Sequence, residues 1–209
     1  MRKILLRSFR LLSVAFALLP FELQAAEPVA LNAAPLVADS PNRGVHLDEI
    51  SIGTGYAWGE LKHTRTSFRA YPAFVRFGFD MNSVFGMKQS KGTLQLAIEP
   101  FANPVTKPES GVEAGLGIFI RYLHPLSSSV KLVSEVGSGP MYLGINTREQ
   151  GKKGFNFMNQ FGAGLQMAVT ESSALTLGYR FRHLSNAGIS EPNRGINTGA
   201  VVISYSMLY

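Results

Sequence analysis

Eight stretches of this chain alternate apolar and polar residues with a period of two, and no long stretch shows the period of about 3.6 residues that marks an amphipathic helix. The runs lie near 49–58, 68–81, 92–101, 112–124, 130–141, 154–168, 173–185 and 196–209, separated by turn-rich breaks. Each is near the length of about 9–11 residues that crosses an outer membrane at a tilt. One parity is apolar and rich in aromatics, as in Ile52, Tyr56 and Trp58, or Leu116, Ile118, Ile120 and Tyr122, or Val201, Ile203, Tyr205, Met207 and Tyr209. The other is small or charged, with Gly53, Gly55, Arg76, Glu99, Glu113, Arg121, Glu135, Arg180 and Arg182. A soluble sandwich also alternates, but it turns its aromatics toward a core and its charges toward water. Outward aromatics with inward charges of both signs predict a small transmembrane antiparallel β-barrel of about eight strands. A barrel that narrow is filled by its own side chains, so a packed polar interior is expected and a channel is not.

The first residues predict a secretory signal over 1–25, leaving 26–209 as the barrel. Arg2, Lys3, Arg7 and Arg10 form a basic start, Leu11 to Leu19 an apolar run too short to span a bilayer, and Leu23-Gln24-Ala25 a cleavage site. Removing them takes away four basic residues and one acid, so the net charge falls from +6 to +3. The remaining Lys and Arg are scattered or alternate with apolar residues, which excludes nucleic-acid binding. The chain has no cysteine, so disulfides, thiolate metal sites and a cysteine nucleophile are excluded together. Acidic residues show no metal-ligand spacing, and neither a metal nor a cofactor is expected. Gly53-Thr54-Gly55 and Gly115-Leu116-Gly117 lie inside strand patterns with no following helix, so they read as relief of crowding on the inner face. The final run, apolar at every second position to Tyr209, resembles the C-terminal recognition signal of bacterial outer-membrane barrels and predicts that location.

Within the seventh run, Leu175, Leu177, Tyr179 and Phe181 alternate with Thr176, Gly178, Arg180 and Arg182, which puts His183 and Ser185 on the lipid-facing side. A polar pair facing lipid is costly, which points to chemistry on a lipid. With an even number of strands and both ends in the periplasm, the pair sits at the outer end of its strand. The breaks near 59–67, 102–111 and 142–153 are longer than the turn at 169–172, as outer loops are. The outer leaflet there is lipopolysaccharide, whose lipid A carries ester-linked acyl chains. Asn197 shares the outward parity, and a hairpin would bring it beside His183. A serine hydroxyl needs a base, and the base needs a group to hold its tautomer, roles that fit Ser185, His183 and Asn197 in turn. His124 and Ser127 read as turn residues, and Lys152 and Lys153 as a solvated loop tip.

The run His183-Leu184-Ser185-Asn186-Ala187-Gly188, followed by Pro192-Asn193-Arg194-Gly195-Ile196, resembles the signature of the outer-membrane lipid A 3-O-deacylase family (PagL). The resemblance implies a serine-histidine esterase that removes a 3-hydroxyacyl chain from lipid A without a cofactor. It implies His183 as general base, Ser185 as nucleophile, and Asn186, Asn193 and the Gly188 amide near the oxyanion. The sequence departs from the family at Asn197, where a glutamate is expected to orient the histidine. Asn can hold a neutral imidazole but supports an imidazolium less well, and Glu191 in the loop is the alternative orienting acid. The rival reading is a non-catalytic structural or adhesive barrel whose loop only binds lipopolysaccharide, and a phospholipase is a weaker enzyme reading. A homodimer is left open.

Overall fold

The computed structural model describes residues 44–209, and the expected signal segment at 1–25 lies outside them. The described residues form β1 (His46–Leu61), β2 (Thr66–Ala70), β3 (Ala73–Asp80), β4 (Thr93–Lys107), β5 (Gly111–Pro125), β6 (Val130–Leu143), β7 (Gly154–Thr170), β8 (Ser173–Ser185) and β9 (Ile196–Leu208). All neighbouring pairs are antiparallel, and β1 pairs with β9 to close the ring. Closure removes the free sheet edges that a bilayer could not satisfy.

The run over 68–81, expected as one strand, is two. Pro72 has no N–H to give the ladder, and the neighbouring Tyr71 N–H donates to Pro104 O at 2.9 Å. Both β2 and β3 lie between β1 and β4, so the nine strands make eight staves. The parity survives the break, with Phe68, Ala70, Phe74 and Arg76 all buried inside.

The connections correct a second expectation. Most of the break expected over 102–111 is strand, because β4 runs to Lys107 and β5 begins at Gly111, and β1 and β2 likewise extend to Leu61 and from Thr66. Inward residues of these extensions, Leu61 and Val105, are each 2% exposed and join the core, which keeps the hairpins paired. The long connections on this rim are 144–153 and 186–195, yet 81–92 on the other rim is longer still, so loop length does not distinguish the two ends. The start of β1 and the end of β9 share the rim opposite 186–195, where Tyr209 N–H donates to Asp48 O at 3.1 Å.

The interior is packed, as expected, but only part of it is polar, and it divides into two zones. Toward the 186–195 rim it is apolar, built from Leu61, Phe68, Val105, Met141, Leu143, Met158, Leu184 and Ile196. Farther down, buried Arg76, Arg121 and Arg180 interleave with Glu49, Glu99 and Glu135. Arg180 Nη1 lies 2.7 Å from Glu99 Oε1 and its Nε 2.6 Å from Glu135 Oε1, while Arg121 Nη1 lies 2.8 Å from Glu49 Oε2. Arg182 pairs with Glu113 above them. Pairing of this kind is what lets guanidinium and carboxylate groups remain charged out of water. Phe74 and Phe119 lie against the Arg180 guanidinium at 5.1 and 4.8 Å. Gly53 makes room for Phe74 and Gly117 for Phe119, where an added Cβ would come within 2.6 Å of the ring.

Candidate active site

Strict alternation along β8 sends Arg180, Arg182 and Leu184 inward and leaves Phe181, His183 and Ser185 half-buried on the outer wall. The inward neighbours are 0–3% exposed, so the outward residues stand on a filled wall. Behind the pair, Leu184, Ile196 and Met158 pack the barrel.

His183 is directly opposite Asn197 on β9, and its Nδ1 lies 2.6 Å from Asn197 Oδ1. An amide oxygen only accepts, so Nδ1 carries the proton and donates it. A neutral imidazole in that tautomer has its free lone pair on Nε2, the nitrogen left to take a proton from a substrate or nucleophile. Gly195 bounds the ring on another side. Its φ is +71°, and a Cβ there would lie 2.5 Å from His183 Cε1. Only glycine fits that backbone and that gap.

Ser185 lies one outward position beyond His183 and is paired with Phe157 on β7. No hydrogen bond joins its hydroxyl to His183 among the described residues, so the two share a surface without yet being linked. Asn186, 2% exposed, organises the loop that follows. Its Nδ2 donates to Ser190 O at 2.8 Å and its Oδ1 accepts from Gly188 N–H at 3.0 Å. Ile189 N–H donates to Asn186 O across Ala187 and Gly188, whose φ values are +54° and +78°, the signature of a type I′ turn. Asn186 N–H donates to Asn193 Oδ1 at 2.9 Å. Asn193 is therefore tied to the peptide next to Ser185, and its Nδ2 makes no hydrogen bond among the described residues. Of the three expected oxyanion donors, the Gly188 amide and the Asn186 side chain are engaged inside the loop and Asn193 Nδ2 is free.

Glu191 is exposed and makes no side-chain hydrogen bond among the described residues, whereas Asn197 holds the histidine. The loop is anchored from outside by a residue the sequence did not single out. Glu149, buried in the 144–153 connection, accepts Arg194 N–H on its backbone oxygen at 2.9 Å and His63 N–H on Oε1 at 2.9 Å. Arg194 Nη1 in turn lies 2.7 Å from His63 Nε2. Three connections on this rim are thus tied beside Gly195. His124, expected in a turn, is instead an exposed strand residue at the end of β5 opposite Leu132, because the β5–β6 ladder runs on to Pro125, whereas Ser127 Oγ accepts N–H groups of its own turn and Lys152 and Lys153 are exposed on a loop.

The family model for lipid A 3-O-deacylase (PagL) matches residues 63–206, which includes every residue of this site. No curated protein matches the sequence. Among solved structures, that of the outer membrane enzyme PagL superposes with a TM-score of 0.52 at 18% identity, covering 77% of this chain and 99% of that one. Neisserial surface protein A superposes with a TM-score of 0.55 at 13% identity, covering 80% of this chain and all of the other. At such identities the two structures speak for the barrel fold, whereas the family match spans the greater part of the sequence. The protein is an outer-membrane β-barrel, and it belongs to the lipid A 3-O-deacylase family.

Proposed function

We propose that this barrel hydrolyses the ester that holds a 3-hydroxyacyl chain at position 3 of lipid A, with Ser185 as nucleophile and His183 as general base. The observation that carries the reading is the His183–Asn197 hydrogen bond on the lipid-facing wall, which leaves Nε2 as the acceptor. Rotation of the Ser185 side chain brings Oγ to Nε2, which accepts the proton as Oγ attacks the ester carbonyl. The tetrahedral oxyanion takes a hydrogen bond from Asn193 Nδ2, with Asn186 and Gly188 holding the loop that presents it. Collapse breaks the bond to the sugar oxygen, which receives the proton from His183. Water, activated by the same nitrogen, then releases the fatty acid and restores Ser185. No step calls for a metal or cofactor.

Expression in a Gram-negative host, followed by mass spectrometry of its lipid A, tests the reading. Loss of one 3-hydroxyacyl chain with wild-type protein, and intact lipid A with Ser185→Ala, is the expected result. Intact lipid A with folded wild-type protein in the outer membrane would return the chain to the non-catalytic reading.

A further inference from the structure

The His183 row does not end at the histidine. On its other side His183 is directly opposite Asn159 on β7, and Asn159 is directly opposite Ser138 on β6. Both are exposed on the outer wall, and Ser138 Oγ donates to Asn159 Oδ1 at 2.7 Å. Polar side chains are thereby aligned across four strands on a surface that otherwise faces lipid with Ile118, Val136, Phe161 and Phe181. The proposed mechanism uses only the half made by His183 and Asn197.

The unused half lines a groove of about 650 Å³ that His183 also borders. Ile118, opposite Ser138, continues the row, and below it the walls are apolar, with Leu96, Ile120, Val136, Phe161 and Phe181. Ser185 stands above the row by two residues, about 6.6 Å along the strand. An acyl chain whose ester carbon lies at Ser185 Oγ, with its tail in the groove, descends past the Ser138–Asn159 level, and its third carbon, two bonds beyond the ester carbon, passes above that level, where the Asn159 side chain reaching up from the row can meet it. The pair is equipped to meet a hydroxyl there. Asn159 Oδ1 is occupied by Ser138, which leaves Nδ2 as a donor, and Ser138 Oγ keeps lone pairs as an acceptor. An aliphatic hydroxyl both accepts and donates, so it can close a ring with these two groups, while a methylene at the same place leaves the Asn159 amide facing hydrocarbon.

We infer that Ser138 and Asn159 form a subsite that reads the 3-hydroxyl of the departing acyl chain, selecting hydroxylated over plain acyl esters. The inference rests on the deacylase reading of Ser185 and His183. A surface hydrogen-bonded subsite of this kind is worth about fivefold to tenfold in kcat/KM.

The test uses purified full-length barrel in detergent micelles with two glucosamine esters of equal chain length, one 3-hydroxyacyl and one plain acyl. Wild type is expected to favour the hydroxylated ester by about that factor. Asn159→Leu should bring the ratio near unity by losing turnover of the hydroxylated ester and keeping that of the plain one, and Ser138→Ala should lower the ratio in part. An unchanged ratio in both variants, or equal loss on both esters, would overturn the subsite and leave the deacylase reading standing. Failure of wild type to cleave either ester would refute the deacylase reading itself and this inference with it. Each variant is checked for the heat-dependent shift in gel mobility of a folded barrel, and Ser138→Ala, a small change on the outer wall, keeps the test decisive should Asn159→Leu misfold.

Discussion

Replacing Asn197 tests the link between geometry and chemistry most directly. In the structure its Oδ1 accepts the His183 Nδ1 proton at 2.6 Å from the opposite strand, and no second acceptor for that nitrogen is present among the described residues. In Asn197→Ala the tautomer is no longer fixed, and the imidazolium formed during attack loses its partner. A neutral hydrogen bond contributes about 0.5–1.5 kcal/mol and one to a charged group about 1.5–3 kcal/mol. The resting enzyme loses the weaker bond and the transition state, where the ring is cationic, the stronger one, so kcat falls by the difference, about 1–1.5 kcal/mol, or roughly fivefold to twelvefold. Asn197→Glu places a carboxylate opposite the same ring and should keep or raise turnover, up to about tenfold, by strengthening that bond. The assay is release of fatty acid from purified lipid A in micelles at saturating substrate, with Glu191→Gln as control. If Asn197→Ala turned over normally and Glu191→Gln were inactive, the orienting role would belong to the loop and the cross-strand account would be wrong.

Ser185→Ala should insert and show wild-type heat-dependent gel mobility yet release no fatty acid, because the lost hydroxyl leaves no cavity on an outward position; measurable turnover would remove Ser185 from the mechanism. Gly195→Ala should lower kcat at least tenfold with little change in substrate affinity, since a side chain at φ +71° costs about 1–2 kcal/mol and its Cβ would displace the His183 ring. Arg180→Met should destabilise the barrel by about 3–5 kcal/mol, read as a lower unfolding temperature or denaturant midpoint, by leaving Glu99 and Glu135 with less compensation. Its preference among acyl chains should not change.

Much of this was legible from period-two alternation. The run over 173–185 matches β8 residue for residue because it is bounded by a tight turn on one side and by Asn186-Ala187-Gly188 on the other. That same register placed Asn197 opposite His183. The break at Pro72 was hidden because parity continues across it, and the length of the β4–β5 hairpin was hidden because Asn103 and Pro104 look like turn residues. Asn103 in fact points inward, accepting Ala73 N–H at 3.1 Å and donating to Glu113 at 3.0 Å. The roles inside the 186–195 loop were out of reach, since nothing in the sequence says that Asn186 is consumed by its own turn. Glu149 was missed for a related reason, because contacts between distant loops leave no local pattern. Asn159 was readable. It interrupts the outward series Phe155, Phe157, Phe161 with an amide, the same signal that exposed His183.

Parity also divides the labour of the molecule. The residues that hold the barrel together and those that carry the proposed chemistry alternate along a single strand, Arg180 and Arg182 inward, His183 and Ser185 outward. Each inward side chain is locked, by ion pairs in the lower zone and by Leu184, Ile196 and Met158 behind the site. A backbone fixed from one side presents the other side at fixed spacing, which is what a nucleophile and base on an open wall need. Outward substitutions should therefore change turnover while sparing stability, and inward ones the reverse. The loop is the one place where this separation should fail. Glu149 touches none of the proposed catalytic groups, yet it anchors Arg194, and Arg194 adjoins the glycine that bounds His183. Its loss should lower activity by loosening the wall around the ring, without the fall in barrel stability that inward charges produce.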